Sequence, residues 1–540
     1  MSAAGAPLRV RWLGRVGYSD ALAMQRGLWA TGQDDWLLLL EHPHTYTMGV
    51  RASLDHVLVD PAELGADLVR TDRGGDVTYH GPGQVVGYPV LSVPTRVGST
   101  PAYVHGLESL VIDALADLGL PGCGRVEGLP GVWVDPEGGT PRKICAIGVR
   151  LSRGRSMHGF ALNVAPDLSW FGAIVPCGLE GRPVTSLAAE GVSCSMPDVV
   201  EAVAARAGWV WAGQRGVDRQ DVGGPARPGE VGSISAGGGL SIGARKPAWL
   251  RAPARFEGEY GSLRRTLRSL ELVTVCEEAG CPNIYECWGE GTATFMINGS
   301  QCSRACGFCQ VHSARPSLQD PEEPSRVAEA VAALGLEHAV VTTVARDDLP
   351  DQGAGAMAAT VEAIRRRAPG AAVEVLISDC KGKPEALDAI FATRPEILNH
   401  NLETVLRLQR AVRPSASYAR SLGVLARAKE AGLVTKSGLM VGLGESFDEV
   451  VGALADLRGV GVDIVTVGQY LRPSAAHLPV SRWWEPAEFA ALRASGEGLG
   501  IPHVEASPLT RSSYHAKSAA VAAGATASAS ASVAAVAGAG

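Results

Sequence analysis

The chain has 540 residues, which is too long for one ordinary hydrophobic core and fits two to four domains. Apolar residues make up 46% of the sequence and charged residues only 19%, a balance that excludes disorder throughout the chain. The formal net charge of -7, from 49 basic and 56 acidic residues, argues against a nucleic-acid-binding protein, because such proteins usually carry a basic surface.

The N-terminal segment does not resemble a secretory signal, because Arg9, Arg11 and Arg15 interrupt its apolar residues. No stretch of the sequence reaches the roughly 18 apolar residues that a membrane helix needs. We therefore expect a cytoplasmic protein that binds neither membranes nor nucleic acid.

The first 212 residues combine short strands with a few helices. The apolar run within Asp35–Glu41 predicts a buried strand, and Val104–Leu118 carries apolar residues at helical spacing. Val132–Val134 and Ile144–Leu151 predict two more strands, separated by a Gly-rich turn near Gly138. This pattern predicts an α+β domain built on a mixed or antiparallel sheet.

Residues 213–244 are rich in Gly, Pro and Ser and show no periodicity, which predicts a flexible linker. Residues 518–540 are almost only Ala, Gly, Ser, Thr and Val, which favours a disordered tail. The sequence therefore predicts one domain over residues 1–212 and a second over 245–517. No internal repeat joins the two domains, so they resemble two proteins on one chain.

The second domain alternates strands and helices along its length. Repeated β–α units indicate a parallel sheet, and six or more suggest a full or partial (β/α) barrel. In such barrels the active site lies at the C-terminal ends of the strands. The predicted strands are Ala339–Thr343, Val373–Ser378, Ile397–Leu398, Val434–Val441, Ile464–Val467 and His503–Glu505. The predicted helices are Ser325–Leu334, Met357–Arg367, Pro384–Ala392, Ala419–Ala431, Ser446–Leu457 and Pro486–Leu499.

Six of the eleven cysteines lie between Cys276 and Cys309, and such a crowd usually indicates a metal site. The spacing Cys302-x3-Cys306-x2-Cys309 puts three thiolates on one short loop, close enough to hold one face of a cubane iron–sulfur cluster. Three ligands leave the fourth iron open to a small molecule. A zinc knuckle that uses His312 as a fourth ligand remains an alternative.

This cysteine loop, placed just before a β/α run, resembles the signature of radical S-adenosylmethionine (SAM) enzymes. The resemblance implies that the open iron chelates SAM and that one electron cleaves SAM to a 5′-deoxyadenosyl radical. Thr342–Asp348 and Gly442–Glu445 each end a strand and fit the SAM side of such a site, where backbone amides could approach SAM. An electron-transfer or scaffold protein with two clusters is an alternative of a different class.

The second triplet, Cys276-x4-Cys281-x5-Cys287, stands in the context EEAGCPNIYECW and resembles lipoyl synthase. The resemblance covers nearly the whole second domain and includes Lys246–Leu250, Asn399–Thr404, Gln469–Ser474 and Arg511–Ala516. The sequence departs from the family at Gln352, where Gly is usual, and at Cys380, where an aromatic residue is usual. Another sulfur-inserting radical enzyme, of the biotin synthase type, remains an alternative that the Cys276 triplet argues against.

The resemblance to lipoyl synthase implies two 4Fe–4S clusters and SAM as cofactors. It also implies sulfur insertion at carbons six and eight of an octanoyl chain on a carrier-protein lysine. The auxiliary cluster would be the sulfur source, and a weak serine ligand suits a cluster that is taken apart. The implied ligands are Cys276, Cys281, Cys287 and Ser513 for the auxiliary cluster, and Cys302, Cys306 and Cys309 for the SAM-binding cluster.

Two features of the first domain suggest chemistry. The Gly-rich run Arg73–Gln84 resembles a phosphate cradle but lacks the Lys-Ser/Thr ending of a P-loop, and it equally fits a hairpin with a packed His80. Cys177 lies between Pro and Gly, which predicts a turn. A nearby ammonium would lower the pKa of such a cysteine toward the thiolate that attacks acyl groups.

Together with His158–Asn163 and Thr185–Leu187, these segments resemble the lipoyl(octanoyl) transferase family over most of residues 8–210. The resemblance implies a fold shared with lipoate and biotin ligases, Cys177 as the acyl-thioester nucleophile, and Lys143 as the residue that lowers its pKa. Cys145 is a competing nucleophile, because strand alternation would turn it to the same face as Lys143. The implied acyl-pocket residues are Arg73, Gly74, Gly75, Asp76, Val77, Thr78, Tyr79, His80, Ala146, Ile147, Gly148, Gly159, Phe160 and Ala161.

The two resemblances support each other, because the product of the first family is the substrate of the second. We therefore expect a bifunctional enzyme that transfers octanoyl groups and then inserts sulfur. An ATP-dependent ligase activity of the first domain remains open. The expected partners are octanoyl-acyl-carrier protein, lipoyl domains of 2-oxoacid dehydrogenase complexes, the glycine-cleavage carrier protein, an electron donor such as ferredoxin or flavodoxin, and an iron–sulfur carrier protein.

Overall fold

The computed structural model describes residues 5–94, 96, 98–176, 182–223, 246–250, 265, 268, 270, 272–274, 283–284 and 292–513. The chain divides into two compact units, Met1–Val222 and Gly223–Gly540. The predicted nucleophile and the first cysteine triplet lie outside the described residues, as does the predicted tail over 518–540. These cysteines are Cys177, Cys276, Cys281 and Cys287.

The first unit is built on two sheets. Its strands are β1 (Leu8–Arg15), β2 (Trp36–Glu41), β3 (Thr45–Met48), β4 (Asp67–Arg70), β5 (Val77–His80), β6 (Gln84–Val90), β7 (Cys123–Val126), β8 (Leu129–Val134), β9 (Arg142–Ser152), β10 (Arg155–Asn163) and β11 (Val217–Asp221). Its helices are α1 (Tyr18–Thr31), α2 (Ser99–Asp117) and α3 (Met196–Ala207).

The larger sheet has the order β11–β1–β2–β6–β10–β9–β8–β7, and the smaller has the order β4–β3–β5. β1 runs parallel to β2 and β11, whereas the remaining pairs of the larger sheet are antiparallel. Apolar residues of α2 and α3 pack with those of the larger sheet in one buried cluster. The prediction of an α+β domain on a mixed sheet is confirmed, and each predicted strand and helix of this domain is present.

The predicted linker begins too early. Residues 217–221, which fall inside the predicted linker 213–244, form β11 and pair in parallel with β1 from Leu8↔Val217 to Trp12↔Asp221. The sequence Val-Asp-Arg-Gln-Asp is polar and lacks the alternation of a half-buried strand, so the pattern gave no strand signal. Ion pairs with β1 hold this segment instead, and they join residues more than 200 positions apart.

The second unit is an open barrel of β–α repeats. Its strands are β12 (Val273–Thr274), β13 (Thr292–Ile297), β14 (Gln301–Cys302), β15 (His312–Ser313), β16 (His338–Thr343), β17 (Ala372–Leu376), β18 (Ile397–Asn399), β19 (Thr435–Val441), β20 (Ile464–Gln469) and β21 (His503–Ala506). Its helices are α4 (Glu323–Ala333), α5 (Ala354–Arg367), α6 (Pro384–Ala392), α7 (Gln409–Val412), α8 (Tyr418–Glu430), α9 (Phe447–Gly459) and α10 (Pro486–Gly498).

Its main sheet has the order β12–β13–β16–β17–β18–β19–β20–β21, and it is parallel from β13 to β21. The first and last strands of this order do not pair within the described ranges, so the barrel is partial. The six predicted strands are confirmed to within two residues at each end, and the six predicted helices to within three. The sequence analysis missed β13, the strand that leads into the cysteine loop. None of the described helices is long and apolar enough to span a bilayer.

A fully buried ion pair joins two strands of the second unit. Lys436 on β19 donates to both carboxylate oxygens of Glu374 on β17 at 3.1 Å, and both side chains are 0% exposed. Asn399 donates to the same carboxylate at 3.0 Å. Burial would raise the pKa of Glu374, but Lys436 and the neighbouring donors hold it below its ordinary value.

We expect a Lys436→Met substitution to destabilise the second unit by about 3–5 kcal/mol, because it leaves the buried carboxylate without its counter-ion. The matched control is Lys429→Met, whose partner Asp463 sits at a more exposed surface site, with an expected cost of about 0–1 kcal/mol. Urea unfolding, followed by hydrogen exchange in peptides of β17 and β19, measures both values. Equal losses in the two variants would contradict the prediction.

Candidate active sites

A cavity of about 390 Å³ lies in the first unit, and its volume is within the range of small-molecule sites. It is bordered by β5, β6, β9 and β10, and by the loops that precede β5 and β8. Lys143 and the 128–130 turn belong to its lining. The predicted pocket residues that line it are Arg73, Gly75, Asp76, Thr78, His80, Ala146, Ile147, Gly148, Gly159, Phe160 and Ala161.

Val77 and Tyr79 do not line this cavity, contrary to the expectation that the whole run from Arg73 to His80 does so. Successive side chains of a strand point to opposite faces. Thr78 and His80 on β5 therefore face the cavity, whereas Val77 and Tyr79 pack into a separate buried cluster with Tyr46. Gly74 also lies outside the lining, where its amide N–H donates to the carbonyl of Val149 at 3.0 Å.

The glycines of β9 and β10 allow close backbone approach. A Cβ atom on Gly159 would lie 2.1 Å from the carbonyl oxygen of Gly87 on β6. A Cβ atom on Gly148 would lie 2.9 Å from the carbonyl oxygen of Gly74. The missing side chains therefore bring neighbouring strands and loops together.

Lys143 is a buried cation at the cavity. Its side chain is 7% exposed, and Nζ lies 4.6 Å from the centre of the Trp133 ring, which is a cation–π distance. Gly131 allows the two strands to approach here, because a Cβ atom there would lie 2.5 Å from the carbonyl oxygen of Cys145. Its φ of +123° also favours glycine.

The segments on either side of the predicted nucleophile are held beside this cavity. The amide of Lys143 donates to the carbonyl of Pro183 at 3.0 Å, and the amide of Thr185 donates to the carbonyl of Lys143 at 2.9 Å. On the other side, the amide of Val175 donates to the carbonyl of His56, a cavity-lining residue, at 2.8 Å. Residues 175 and 183 flank Cys177, so the described chain enters and leaves that segment next to Lys143 and His56.

Cys145 does not share the face of Lys143. The pairing of β8 with β9 runs from Val132↔Cys145 to Trp133↔Lys143, so Ile144 is an extra residue and forms a β-bulge. The bulge breaks the alternation that the sequence analysis assumed. Cys145 is 0% exposed and packs in the core, where burial raises the pKa of its thiol far above the ordinary value. Cys145 is therefore excluded as a nucleophile.

Polar groups fix the cavity wall opposite the Gly-rich strands. The Arg73 guanidinium donates to the carbonyl and the hydroxyl of Thr47 at 2.5 and 2.9 Å. His80 contacts Gln84 at 3.0 Å and Thr47 at 3.3 Å, and burial lowers the pKa of its imidazole well below the ordinary value. The interpretation of this run as a hairpin with a packed His80 accounts for these contacts.

In the second unit, the loop Cys302–Cys309 follows β13 at the C-terminal end of the parallel sheet. Arg304 fastens it to the ends of two neighbouring strands, because its guanidinium donates to both carboxylate oxygens of Asp347 at 2.8 and 2.9 Å and to Asp379 at 2.6 Å. The amide of Leu478 donates to the carbonyl of Gly307 at 2.9 Å, which holds the other half of the loop.

The three thiols of this loop are the candidate ligands of the SAM-binding cluster. Cys302, Cys306 and Cys309 are unbonded and partly exposed. Burial and the two neighbouring thiols together raise the pKa of Cys309 to about 11. Among the described residues, no three His, Cys, Asp or Glu side chains converge on a single-ion site. The cysteines of a cubane bind different irons and need not converge on one point. His312 is exposed.

The two other strand ends expected on the SAM side differ in which polar groups they carry and in what those groups bind. At 442–445, the amides of Gly442 and Leu443 donate to the carboxylate of Glu445, the latter at 2.9 Å, so these amides are already paired. At 342–348, Asp347 is engaged by Arg304 of the cysteine loop. Gln352 has a φ of +58°, the conformation that favours the glycine usual at this position.

The C-terminal serine turn contacts Asn283, a described residue that lies between Cys281 and Cys287 in the sequence. Asn283 donates to the carbonyl of Leu509 at 2.7 Å. Asn401 donates to the hydroxyl of Ser512 at 2.7 Å. Ser513, the predicted serine ligand, is the next residue of this turn, and its ligand role stays a prediction.

The two halves of the chain match different families of known proteins. The lipoyl protein ligase A/B catalytic domain model matches residues 17–207, and the radical SAM superfamily model matches residues 296–457. The lipoyl synthase of Mycobacterium avium is 55% identical over 272 residues, which cover 50% of this chain and 89% of that protein. The chain belongs to the lipoyl synthase family.

Each half also has similarity to other known proteins. The lipoyl synthase of Rubrobacter xylanophilus is 55% identical over 273 residues, which cover 50% of this chain and 85% of that protein. The structure of a bipartite lipoate protein ligase from Thermoplasma acidophilum matches with a TM-score of 0.33 and 19% identity, over 40% of this chain and 86% of that one. Membership of the lipoyl synthase family implies SAM and 4Fe–4S clusters as cofactors. The first unit carries a catalytic domain of the lipoate ligase and transferase type.

Several residues of these sites were not predicted from the sequence. Trp133 lies in a predicted strand, but its place beneath Lys143 depends on the bulge in β9. Arg304 lies inside the cysteine motif, and its position between two predicted ligands could have identified it as a residue of the site. His158 has an unusual backbone conformation that no sequence pattern shows.

Proposed function

We propose that this chain builds the lipoyl group in two consecutive steps. The first unit transfers an octanoyl group from acyl-carrier protein to a lysine of a lipoyl domain, by way of a thioester on Cys177. The second unit then inserts sulfur at carbons six and eight of the bound chain. The observation that carries this proposal is the union, on one chain, of a lipoyl ligase/transferase catalytic domain with a lipoyl synthase that would use its product.

The first step is an acyl exchange that consumes no nucleotide. The Cys177 thiolate attacks the thioester carbonyl of octanoyl-acyl-carrier protein, and the carrier's thiol leaves. The amine of the acceptor lysine then attacks the acyl-Cys177 carbonyl, forms an amide and releases the cysteine thiol. Lys143 supports this role, because it is a buried cation beside the segments that flank Cys177. A cation at this place favours the thiolate.

The alternative for the first unit is ATP-dependent activation of a free acid, as in ligases of the same domain family. The two mechanisms differ in what they leave on the protein. An acyl group bound covalently to Cys177 in the absence of ATP supports the transferase. Acylation of the lipoyl domain only with a free acid and ATP supports the ligase.

In the second unit, Cys302, Cys306 and Cys309 would hold the SAM-binding cluster, which when bound supplies the electron for SAM cleavage. Arg304 and Leu478 hold the loop that carries these thiols, so the ligands stay in place at the ends of the strands. Ser513, with the first triplet, would hold the auxiliary cluster. The proposed partners are acyl-carrier protein, lipoyl domains, the glycine-cleavage carrier protein, an electron donor and an iron–sulfur carrier protein.

The test is the intact mass of an apo lipoyl domain after anaerobic incubation with the cluster-reconstituted chain and octanoyl-acyl-carrier protein. We expect octanoylation without SAM, and conversion to the lipoyl form when SAM and a reductant are added. A Cys302→Ala variant should octanoylate at the wild-type rate and never insert sulfur. A Cys177→Ala variant should fail to octanoylate but should still convert a domain that is already octanoylated.

Cys123→Ala is the matched control, because Cys123 lies outside both sites and is only partly exposed. It should behave like the wild type in both steps. An octanoyl group that appears with Cys177→Ala contradicts the thioester route. Sulfur insertion by Cys302→Ala contradicts the assignment of the SAM-binding cluster.

A further inference from the structure

His158 occupies an unfavourable conformation in the middle of a strand. It lies on β10 with a φ of +59°, in the left-handed region that residues other than glycine rarely adopt. Its side chain is 1% exposed, and Nδ1 is buried without a hydrogen-bond partner in the structure described. Strain and an unpaired buried nitrogen both cost stability, and such costs tend to persist at functional positions. His158 belongs to the lining of the cavity.

The other ring nitrogen of His158 holds a loop in place. Nε2 lies 2.7 Å from the carboxylate of Asp72, which also pairs with Arg150 of β9. Asp72 immediately precedes the 73–75 loop, and Arg73 and Gly75 line the cavity. The amide of Gly74 donates to the carbonyl of Val149, and Val149 is the register partner of His158 on β9. His158 therefore fastens the Asp72–Gly75 loop to the β9–β10 pair.

The contacts between His158 and the Asp72–Gly75 loop lie at the far end of the cavity from Lys143. Val149 is six residues beyond Lys143 on β9, a separation of at most about 20 Å at roughly 3.3 Å per residue. An acyl chain whose thioester lies beside Lys143 and that extends along β9 would point its tail toward the Asp72–Gly75 loop. His80 lies near this end as well, because its imidazole and the Arg73 guanidinium both contact the hydroxyl of Thr47.

We propose that His158 is a positioning residue that fixes the Asp72–Gly75 loop as the end wall of the acyl cavity and so sets the length of the chain that the first unit transfers. This inference rests on the proposed acyl transfer. It explains why a strained histidine with an unpaired nitrogen stands at this point of β10. A residue that served only the stability of the strand would have an ordinary backbone conformation and satisfied nitrogens.

The test is a His158→Asn substitution in the full chain. Asparagine tolerates a positive φ, but its shorter side chain does not reach Asp72 as the imidazole does. The transfer of six-, eight-, ten- and twelve-carbon chains from acyl-carrier protein is measured as kcat and KM. We expect the ratio of kcat/KM for the twelve-carbon chain to that for the eight-carbon chain to rise at least about tenfold, the range that one methylene can discriminate in an apolar pocket.

His44→Asn is the matched control. His44 contacts the Tyr79 hydroxyl at 2.8 Å and stacks on Trp170, but it does not line the cavity. Its substitution should leave the chain-length profile unchanged. Asp72→Ala removes the same contact from the other side and should shift the profile in the same direction, which covers the case in which His158→Asn fails to fold.

The outcomes separate this inference from the function on which it rests. A wild-type chain that transfers no acyl group of any length contradicts the transferase itself. If the wild type is selective and both variants lose activity by the same factor at every chain length, His158 and Asp72 serve only stability, and the inference is overturned. A broadened profile in both variants, with an unchanged profile in His44→Asn, supports it.

Discussion

A Lys143→Met variant is expected to form the acyl-Cys177 thioester about 10²–10⁴-fold more slowly than the wild type, the range that a positioned acid–base group supplies. Methionine keeps much of the length and apolar character of the lysine stem but removes the charge. The Nζ atom lies 4.6 Å from the Trp133 ring, and the backbone of the same residue is hydrogen-bonded to residues 183 and 185, which follow Cys177 in the chain. Its loss should return the thiol toward an ordinary pKa near 8.5.

The pH profile distinguishes this role from a loss of folding. A nearby cation lowers a thiol's pKa, so its removal raises that pKa and leaves less thiolate near pH 7. The residual rate of Lys143→Met should therefore climb as the pH rises toward 9, whereas the wild-type rate should already be near its plateau. Rapid-quench intact mass of the chain measures the rates. Acylation within threefold of the wild type near pH 7 would remove Lys143 from the mechanism, and Lys143→Arg should restore part of the rate because it keeps the charge.

The repeats of the second unit could be predicted because their signals are local. A parallel strand buried on both faces is a short run of apolar residues, and the helix that follows shows the 3.6-residue period. Ala339–Thr343 and Pro384–Ala392 show these patterns, and the structure places β16 and α6 there. The missed strand β13 reads Thr-Ala-Thr-Phe-Met-Ile, in which only the last three residues form an apolar run.

Other features depend on contacts between distant parts of the chain, which no local pattern shows. The face of Cys145 follows from a bulge at Ile144, whereas the sequence supports only unbroken alternation. His158 has a positive φ that no sequence pattern shows, and its imidazole pairs with Asp72, 86 positions earlier in the chain. The reactive residues of a site can thus be read from a motif, but the side chains that position them come from elsewhere in the fold.

The strand β11 also depends on contacts with a distant part of the chain, because its own sequence is typical of a linker. Asp218 accepts hydrogen bonds from Arg9 at 2.7 Å and from Arg11 at 2.9 Å, and these arginines are 5% and 0% exposed. Burial would raise the pKa of Asp218, but Arg11 and Arg9 hold it below the ordinary value. One carboxylate on the last strand thus pairs with two buried cations on the first.

An Asp218→Leu substitution in the full chain is therefore expected to destabilise the first unit by about 3–5 kcal/mol, because it removes the carboxylate that two buried arginines share. Asp221→Leu on the same strand is the matched control. Its partner Arg219 is partly exposed, and the expected loss is about 0–1 kcal/mol. Urea unfolding, followed by hydrogen exchange in peptides of β1 and β2, reports on the first unit alone. Equal losses at the two positions would show that the ion pairs of Asp218 with β1 stabilise the first unit no more than the exposed pair of Asp221 does.

The pH dependence gives an independent check on the same ion pairs. A carboxylate whose folded-state pKa lies below its unfolded value of about 3.9 contributes stability above that value, and the contribution disappears as the pH falls through the folded-state pKa. The advantage of the wild type over Asp218→Leu should therefore shrink as the pH is lowered below about 4. The first unit needs Val217–Asp221 for its own stability, so any division of the chain into separate halves has to be made after this strand. A cut at residue 212, where the sequence pattern alone places the boundary, would leave Arg9 and Arg11 buried without Asp218.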